Sequence, residues 1–212
     1  MSLKISEEEY KRRLSITKYN LEKYLNITNY YTSEELVMYY AKIDSYLRTR
    51  IDENVFLKNL IEKTIFFRSL GYSLEDISRM IYNFPSLLHM DKRDVLIKYL
   101  LLGKIVVSNT SVCDRDDIML NHTKDLICGK ELLYARIMFF LTVDDINQRK
   151  NEITRRKALK ITSNEFSNTY GIDKQKLLKL FPFNSGSMKI ICSWKENEEV
   201  MKKLLDNGIE LK

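Results

Sequence analysis

The residues best suited to chemistry in this chain are basic, and they are concentrated after Asn147. Between positions 147 and 160, six Lys and Arg residues accompany a single acid, Glu152. Spacings such as Arg149, Arg156 and Lys160 place positive groups on one face of a helix, where they can contact phosphate oxygens. The predicted phosphate-binding residues are Arg149, Lys150, Arg155, Arg156, Lys157 and Lys160, extended by Lys174, Lys176 and Lys179. The alternative is a helix whose charged face is only solvated, as charge runs usually are.

Two pairs of adjacent carboxylates, Asp116-Asp117 and Asp144-Asp145, could hold Mg²⁺ in a nuclease. Both pairs flank predicted helices, where an aspartate at a cap serves the helix itself. The sequence contains no nucleophile elbow, phosphate loop, zinc-protease motif or dinucleotide fingerprint, and it offers only two histidines as bases. We therefore predict a protein without enzymatic activity or a cofactor, and a metal-dependent nuclease is the second alternative.

The cysteines do not form a recognisable metal site. Cys113, His122 and Cys128 are spaced by nine and six residues, which matches no zinc motif, and a fourth ligand is absent. We predict no bound metal, two small buried thiols and a packed core histidine at His122. Because three cysteines cannot all pair within one chain, a reducing compartment is the simpler interpretation.

The elements that position these residues are predicted to be helices. Only 6 Gly and 2 Pro interrupt the 212 residues, so turns that need unusual backbone angles are scarce. A helix is expected after Gly71, started by the cap pair Ser73 and Asp76 and ended before Pro85. Its apolar residues share one face: Leu74, Ile77, Met80, Ile81 and Phe84. A tight corner at Pro85–Leu88, with His89 near the surface, leads to a second helix from about Asp91.

Neighbouring segments follow the same pattern, which indicates a repeat. A shift of forty residues matches Ser33 with Ser73, Val37 with Ile77, and Val55 with Val95. A third unit opens at Asp116, and its second helix carries an apolar stripe: Leu133, Ile137, Phe140 and Leu141. We therefore predict an all-α fold, a short helical-repeat array of stacked helix pairs with a superhelical body. Its parts are an N-terminal helical cap (1–32), three repeats (33–146) and a basic C-terminal segment with a degenerate repeat and a cap (147–212).

The C-terminal segment carries several local start and stop signals. Thr162 and Glu165 form a capping-box pattern, and Gly171 with Asp173 predicts a helix end followed by a new start. A short helix is expected from Lys174 to Leu180. A turn at Ser185–Ser187 and a last helix around Glu196–Leu205 are expected to follow.

The second unit resembles the repeat of the mitochondrial transcription termination factor family. The resemblance rests on Leu70-Gly71-Tyr72-Ser73 at a helix start, on Phe84-Pro85-Ser86-Leu87-Leu88 at the corner, and on the apolar run Val95–Leu100. Members stack such helix pairs into a left-handed superhelix whose concave basic groove holds double-stranded DNA or, in some members, RNA. The resemblance implies that architecture for this chain, although its spacing of about forty residues exceeds the family's low thirties.

Composition and resemblance together lead to an expected function. A net charge of +6 and a pI of about 9.0 are compatible with an anionic partner. We expect a non-enzymatic nucleic-acid-binding protein that regulates or terminates transcription, with double-stranded DNA favoured over RNA. The first alternative is a helical protein-interaction module with a protein partner. Most tyrosines, including Tyr30, Tyr31, Tyr39 and Tyr40, are expected to pack rather than stack on bases. No membrane association and a cytoplasmic location are predicted, or an organelle if a transit peptide has been removed.

Overall fold

A computed structural model of the chain describes residues 6–47, 53–103, 115–121, 128–143 and 161–209. Every regular element in these ranges is a helix, which confirms the predicted all-α class. The α-helices are α1 (Glu7–Leu25), α2 (Ser33–Leu47), α3 (Glu53–Ser69), α4 (Leu74–Asn83), α5 (Lys92–Leu102), α6 (Arg115–Asn121), α7 (Lys130–Val143), α8 (Ser163–Tyr170), α9 (Lys174–Leu180), α10 (Ser185–Cys192) and α11 (Glu198–Asp206). Short 3-10 helices span Ile27–Asn29, Pro85–His89 and Lys195–Asn197.

The chain divides into two compact units, unit 1 (1–92) and unit 2 (93–212). In unit 1, α1 packs against α3 and α4, and the 3-10 helix Pro85–His89 contacts α2, α3 and α4. The core is apolar and aromatic, with Leu21, Leu60 and Phe66 fully buried. The boundaries predicted at 32/33 and 146/147 stay predictions.

The start of α1 is held by local polar contacts. Ser6 caps the helix by accepting from the backbone N–H of Glu9, and Asn26 ends it in the left-handed region with φ 51°. The Glu9 carboxylate accepts hydrogen bonds from Arg12 and Arg13, which lower its pKa to about 2. Lys11 pairs with Glu7 at 2.8 Å. These basic residues therefore form exposed pairs with glutamates of their own helix.

A cluster of tyrosines packs α2 against α4. Tyr39 is fully buried and donates a hydrogen bond to the Ser78 carbonyl at 3.0 Å. The Tyr39 ring lies 5.3 Å from that of Tyr31 and 5.4 Å from that of Tyr82, measured between centroids. Burial raises the pKa of the Tyr39 hydroxyl above its ordinary value. Tyr31 and Tyr39 therefore pack, as predicted. The prediction is wrong at Tyr30, which follows the 3-10 helix Ile27–Asn29 and is 36% exposed.

The helix predicted after Gly71 is present as α4. Ser73 accepts from the Asp76 N–H and Asp76 accepts from the Ser73 N–H, which completes the predicted capping box. The helix ends at Asn83, and Pro85 then opens a 3-10 helix that buries Leu87 and Leu88. His89, expected near the surface, is half-buried at the end of this turn.

The repeat register of forty residues pairs positions in different environments. Val37 is 68% exposed whereas Ile77 is fully buried, and Val55 is exposed whereas Val95 is buried. The cap of α2 is Thr32, because the Glu35 N–H donates to its Oγ1 and the Glu35 carboxylate accepts from its N–H. Aligning Thr32 with Ser73 gives a shift of forty-one.

The shift of forty-one pairs some positions of similar burial and others of different burial. Tyr39 then matches Met80, and Ile43 matches Phe84, and all four side chains are buried, but Val37, which is 68% exposed, matches the fully buried Ser78. The repeat array therefore stays a prediction.

In unit 2, α7, α8 and α9 enclose a small core. Ala135, Phe166, Ile172 and Leu177 are its buried residues, and half-buried aromatic rings from α7 surround them. The predicted stripe of α7 is correct at Leu133 and Ile137, which are buried. It is wrong at Leu141, which is 41% exposed, because the buried face of α7 turns away from the stripe at the helix end.

The predicted local signals of the C-terminal segment are present. Thr162 and Glu165 form a capping box, Gly171 ends α8 with φ 70°, and Asp173 caps α9. The turn predicted at Ser185–Ser187 is wrong. The Asn184 side chain accepts from the N–H groups of Gly186 and Ser187, so these residues form the first turn of α10.

Candidate nucleic-acid interface

The basic residues predicted to bind phosphate fall into two groups. Six of them lie outside the described residues: Arg149, Lys150, Arg155, Arg156, Lys157 and Lys160. The other three, Lys174, Lys176 and Lys179, lie on α9 and are exposed. The described part of the predicted interface is therefore α9 with the elements that hold it.

The position of α9 is fixed by the cap at its start and by one buried residue. The Asp173 carboxylate accepts from the Lys176 N–H at 2.9 Å, which sets the first turn. Leu177 is buried in the core with Ala135 of α7 and Phe166 of α8. Because Lys176 and Lys179 flank this buried position by one and two residues, they extend from the opposite, exposed side of the helix.

Lys174 has a different environment from the other two lysines. Its ammonium is close enough to Cys128, which precedes α7, to act on the pKa of the thiol. Burial raises the pKa of Cys128, whereas the positive charges of Arg136, Lys98 and Lys174 oppose that rise. Because residues two positions apart lie on nearly opposite sides of a helix, Lys174 does not share the side of α9 that carries Lys176 and Lys179.

Arg136 anchors the start of α8 and was not singled out from the sequence. It is 2% exposed, its Nη1 donates to the Ile161 carbonyl at 3.1 Å, and its guanidinium lies 4.6 Å from the centroid of the Phe166 ring. Burial lowers the pKa of this guanidinium. Its position in the sequence could have indicated its burial, because positions 133, 136 and 137 share one helical face and Leu133 and Ile137 are apolar.

A buried ion-pair network lies between α5 and α7. Asp94 accepts from Lys98 at 2.9 Å and from Lys130 at 3.1 Å, and the Lys98 side chain is only 5% exposed. Burial alone would raise the pKa of Asp94, but the hydrogen bonds from both lysines outweigh it and the pKa is lowered. These two lysines are engaged in holding the unit together.

A second buried polar network surrounds Asn197, at the end of a 3-10 helix. Its Nδ2 donates to the carbonyls of Leu100 and Ile191, at 3.2 and 2.8 Å, and its Oδ1 accepts from Arg115. The Arg115 guanidinium also lies 4.8 Å from the centroid of the Tyr99 ring. One asparagine thus joins α5, α6 and α10, and no sequence motif indicated it.

The candidate metal ligands do not converge in the described residues. Asp116 is exposed, and Asp117 accepts a hydrogen bond from Asn121 at 2.7 Å within α6. Cys113, His122, Asp144 and Asp145 lie outside the described ranges. Among the residues that the structure describes, no three His, Cys, Asp or Glu side chains are grouped as metal ligands would be.

The net positive charge belongs almost entirely to unit 2. Unit 2 contains 21 Lys and Arg against 16 Asp and Glu, whereas unit 1 contains 14 against 13. All of this excess is the predicted basic segment at 147–160, which has six Lys and Arg against one acid, and the rest of unit 2 has 15 Lys and Arg against 15 Asp and Glu. The excess therefore lies in a segment outside the described residues.

Comparison of the chain with models of known protein families, with curated proteins and with solved structures gave no match. Within the described ranges, no helix combines the length and the apolar character needed to cross a membrane.

Proposed function

We propose that the chain is a non-enzymatic nucleic-acid-binding protein whose contacts come from unit 2. The observation that carries the proposal is the charge excess of unit 2, which lies in the basic segment 147–160; Lys176 and Lys179 of the same unit are exposed on α9. Neither lysine is part of the ion pairs that hold unit 2 together. Their ammonium groups can therefore neutralise phosphates without disrupting the fold.

The proposal includes the stacked-helix-pair architecture and a role in regulating transcription. Its support is the similar cap at the start of α2 and α4 and the burial of two matched pairs, Tyr39 with Met80 and Ile43 with Phe84, when these caps are aligned. Double-stranded DNA is the preferred ligand and RNA the second. The free thiols of Cys128 and Cys192 accord with the proposed reducing, cytoplasmic location.

The test is fluorescence anisotropy with labelled duplex DNA, single-stranded DNA and RNA across a range of salt concentrations. Binding is expected to weaken steeply with salt, by about 0.9 log units in affinity per log unit of salt for each neutralised phosphate of a duplex. Changing Arg155, Arg156 and Lys157 together to Glu is expected to abolish binding.

A matched control makes the same change of charge in unit 1. Lys23, Lys58 and Arg79 are exposed there, and their triple change to Glu is expected to preserve most of the affinity. Equal losses in the two triple variants would show that only net charge matters. No binding to any of the three ligands at low salt would overturn the proposal.

A further inference from the structure

We draw no further inference here: the strongest candidate, the cluster of positive side chains around the half-buried thiol of Cys128 just before α7, carries nothing, because Arg136 and Lys98 of that cluster already have partners within unit 2 and nothing in the described residues shows what this lone cysteine would bind.

Discussion

The Nη2 atom of Arg115 donates a hydrogen bond to the Oδ1 atom of Asn197 at 2.6 Å, across 82 positions of sequence. Asn197 is fully buried, and its amide is also hydrogen-bonded to two backbone carbonyls. Removing the amide leaves these partners buried without a donor or acceptor, which costs more than the loss of exposed hydrogen bonds.

Asn197→Ala is therefore expected to lower the free energy of unfolding of unit 2 by about 2–4 kcal/mol. Urea unfolding followed by the fluorescence of Trp194, the single tryptophan, measures this change. The control is Asn207→Ala, whose exposed amide donates to the Lys203 carbonyl, and its effect is expected to stay below about 1 kcal/mol. Equal effects of the two changes would contradict the role of the buried network.

The substitution Gly103→Ala tests whether the network of Arg115 and Asn197 leaves room for a side chain at position 103. A Cβ at position 103 would meet Arg115 Nη2 and would lie 2.9 Å from Asn197 Oδ1. We expect a loss of about 1–3 kcal/mol in the free energy of unfolding, measured by the same urea titration. In an Arg115→Ala background the loss is expected to shrink, because the closest atom is then absent.

Gly129→Ala provides the comparison for this glycine. The nearest atom to its added Cβ is Glu131 Oε2 at 3.5 Å, an ordinary contact. An equally large loss at both glycines would show that the effect comes from the backbone and not from the close approach of Arg115.

Lys63→Met is expected to stabilise unit 1 near neutral pH. The side chain is 1% exposed, and burial lowers the pKa of its ammonium, with Glu62 and Asp91 opposing this. A buried charge is costly, so an apolar side chain of similar size should raise the free energy of unfolding by about 1–2 kcal/mol. Urea unfolding followed by far-UV circular dichroism measures it, with exposed Lys58→Met as the control.

The pH dependence of stability gives an independent measure of the cost of burying Lys63. Because its folded pKa is below the unfolded value of about 10.4, the unfolded chain binds the proton more tightly. The stability of the unchanged chain should therefore rise with pH from the lowered pKa toward about 10.4. If the free energy of unfolding of Lys63→Met changed with pH as steeply as that of the unchanged chain, Lys63 would not be the source of this pH dependence.

The three lysines of α9 are expected to contribute unequally to nucleic-acid binding. Changing Lys176 and Lys179 together to Gln should reduce the salt slope of duplex binding by about two units, since each is expected to neutralise one phosphate. Lys174→Gln should reduce it less, because that lysine lies on a different side of α9 from the other two. Anisotropy titrations at several salt concentrations measure the slopes, and equal slopes for Lys174→Gln and the double variant would contradict the distinction.

Helix starts were predictable from the sequence because their determinants are local. The Ser73/Asp76 and Thr162/Glu165 boxes and the Asp173 cap involve residues only three positions apart. The start of α10 was missed because Asn184 was not recognised as the cap that turns Ser185–Ser187 into a helix.

The burial of a residue that depends on partners far away in the sequence could not be predicted in the same way. Arg136 is buried because an aromatic ring and a carbonyl from α8 and its start receive its guanidinium. Val37 is exposed because α2 packs through the neighbouring face that carries Tyr39. The positions of the basic residues between 149 and 160 lie outside the described ranges, so their joint role stays a prediction.

The capping boxes at Thr32, Ser73, Thr162 and Asn184 also bear on how the chain reaches its native state. Helix formation is limited by its first turn, which must fix several backbone angles for a single hydrogen bond. Each box adds two hydrogen bonds within four residues, so it lowers that barrier before any distant contact exists. Four separate points of the described residues can therefore nucleate helices early. The slower remaining step is the closure of long loops such as the one between Arg115 and Asn197.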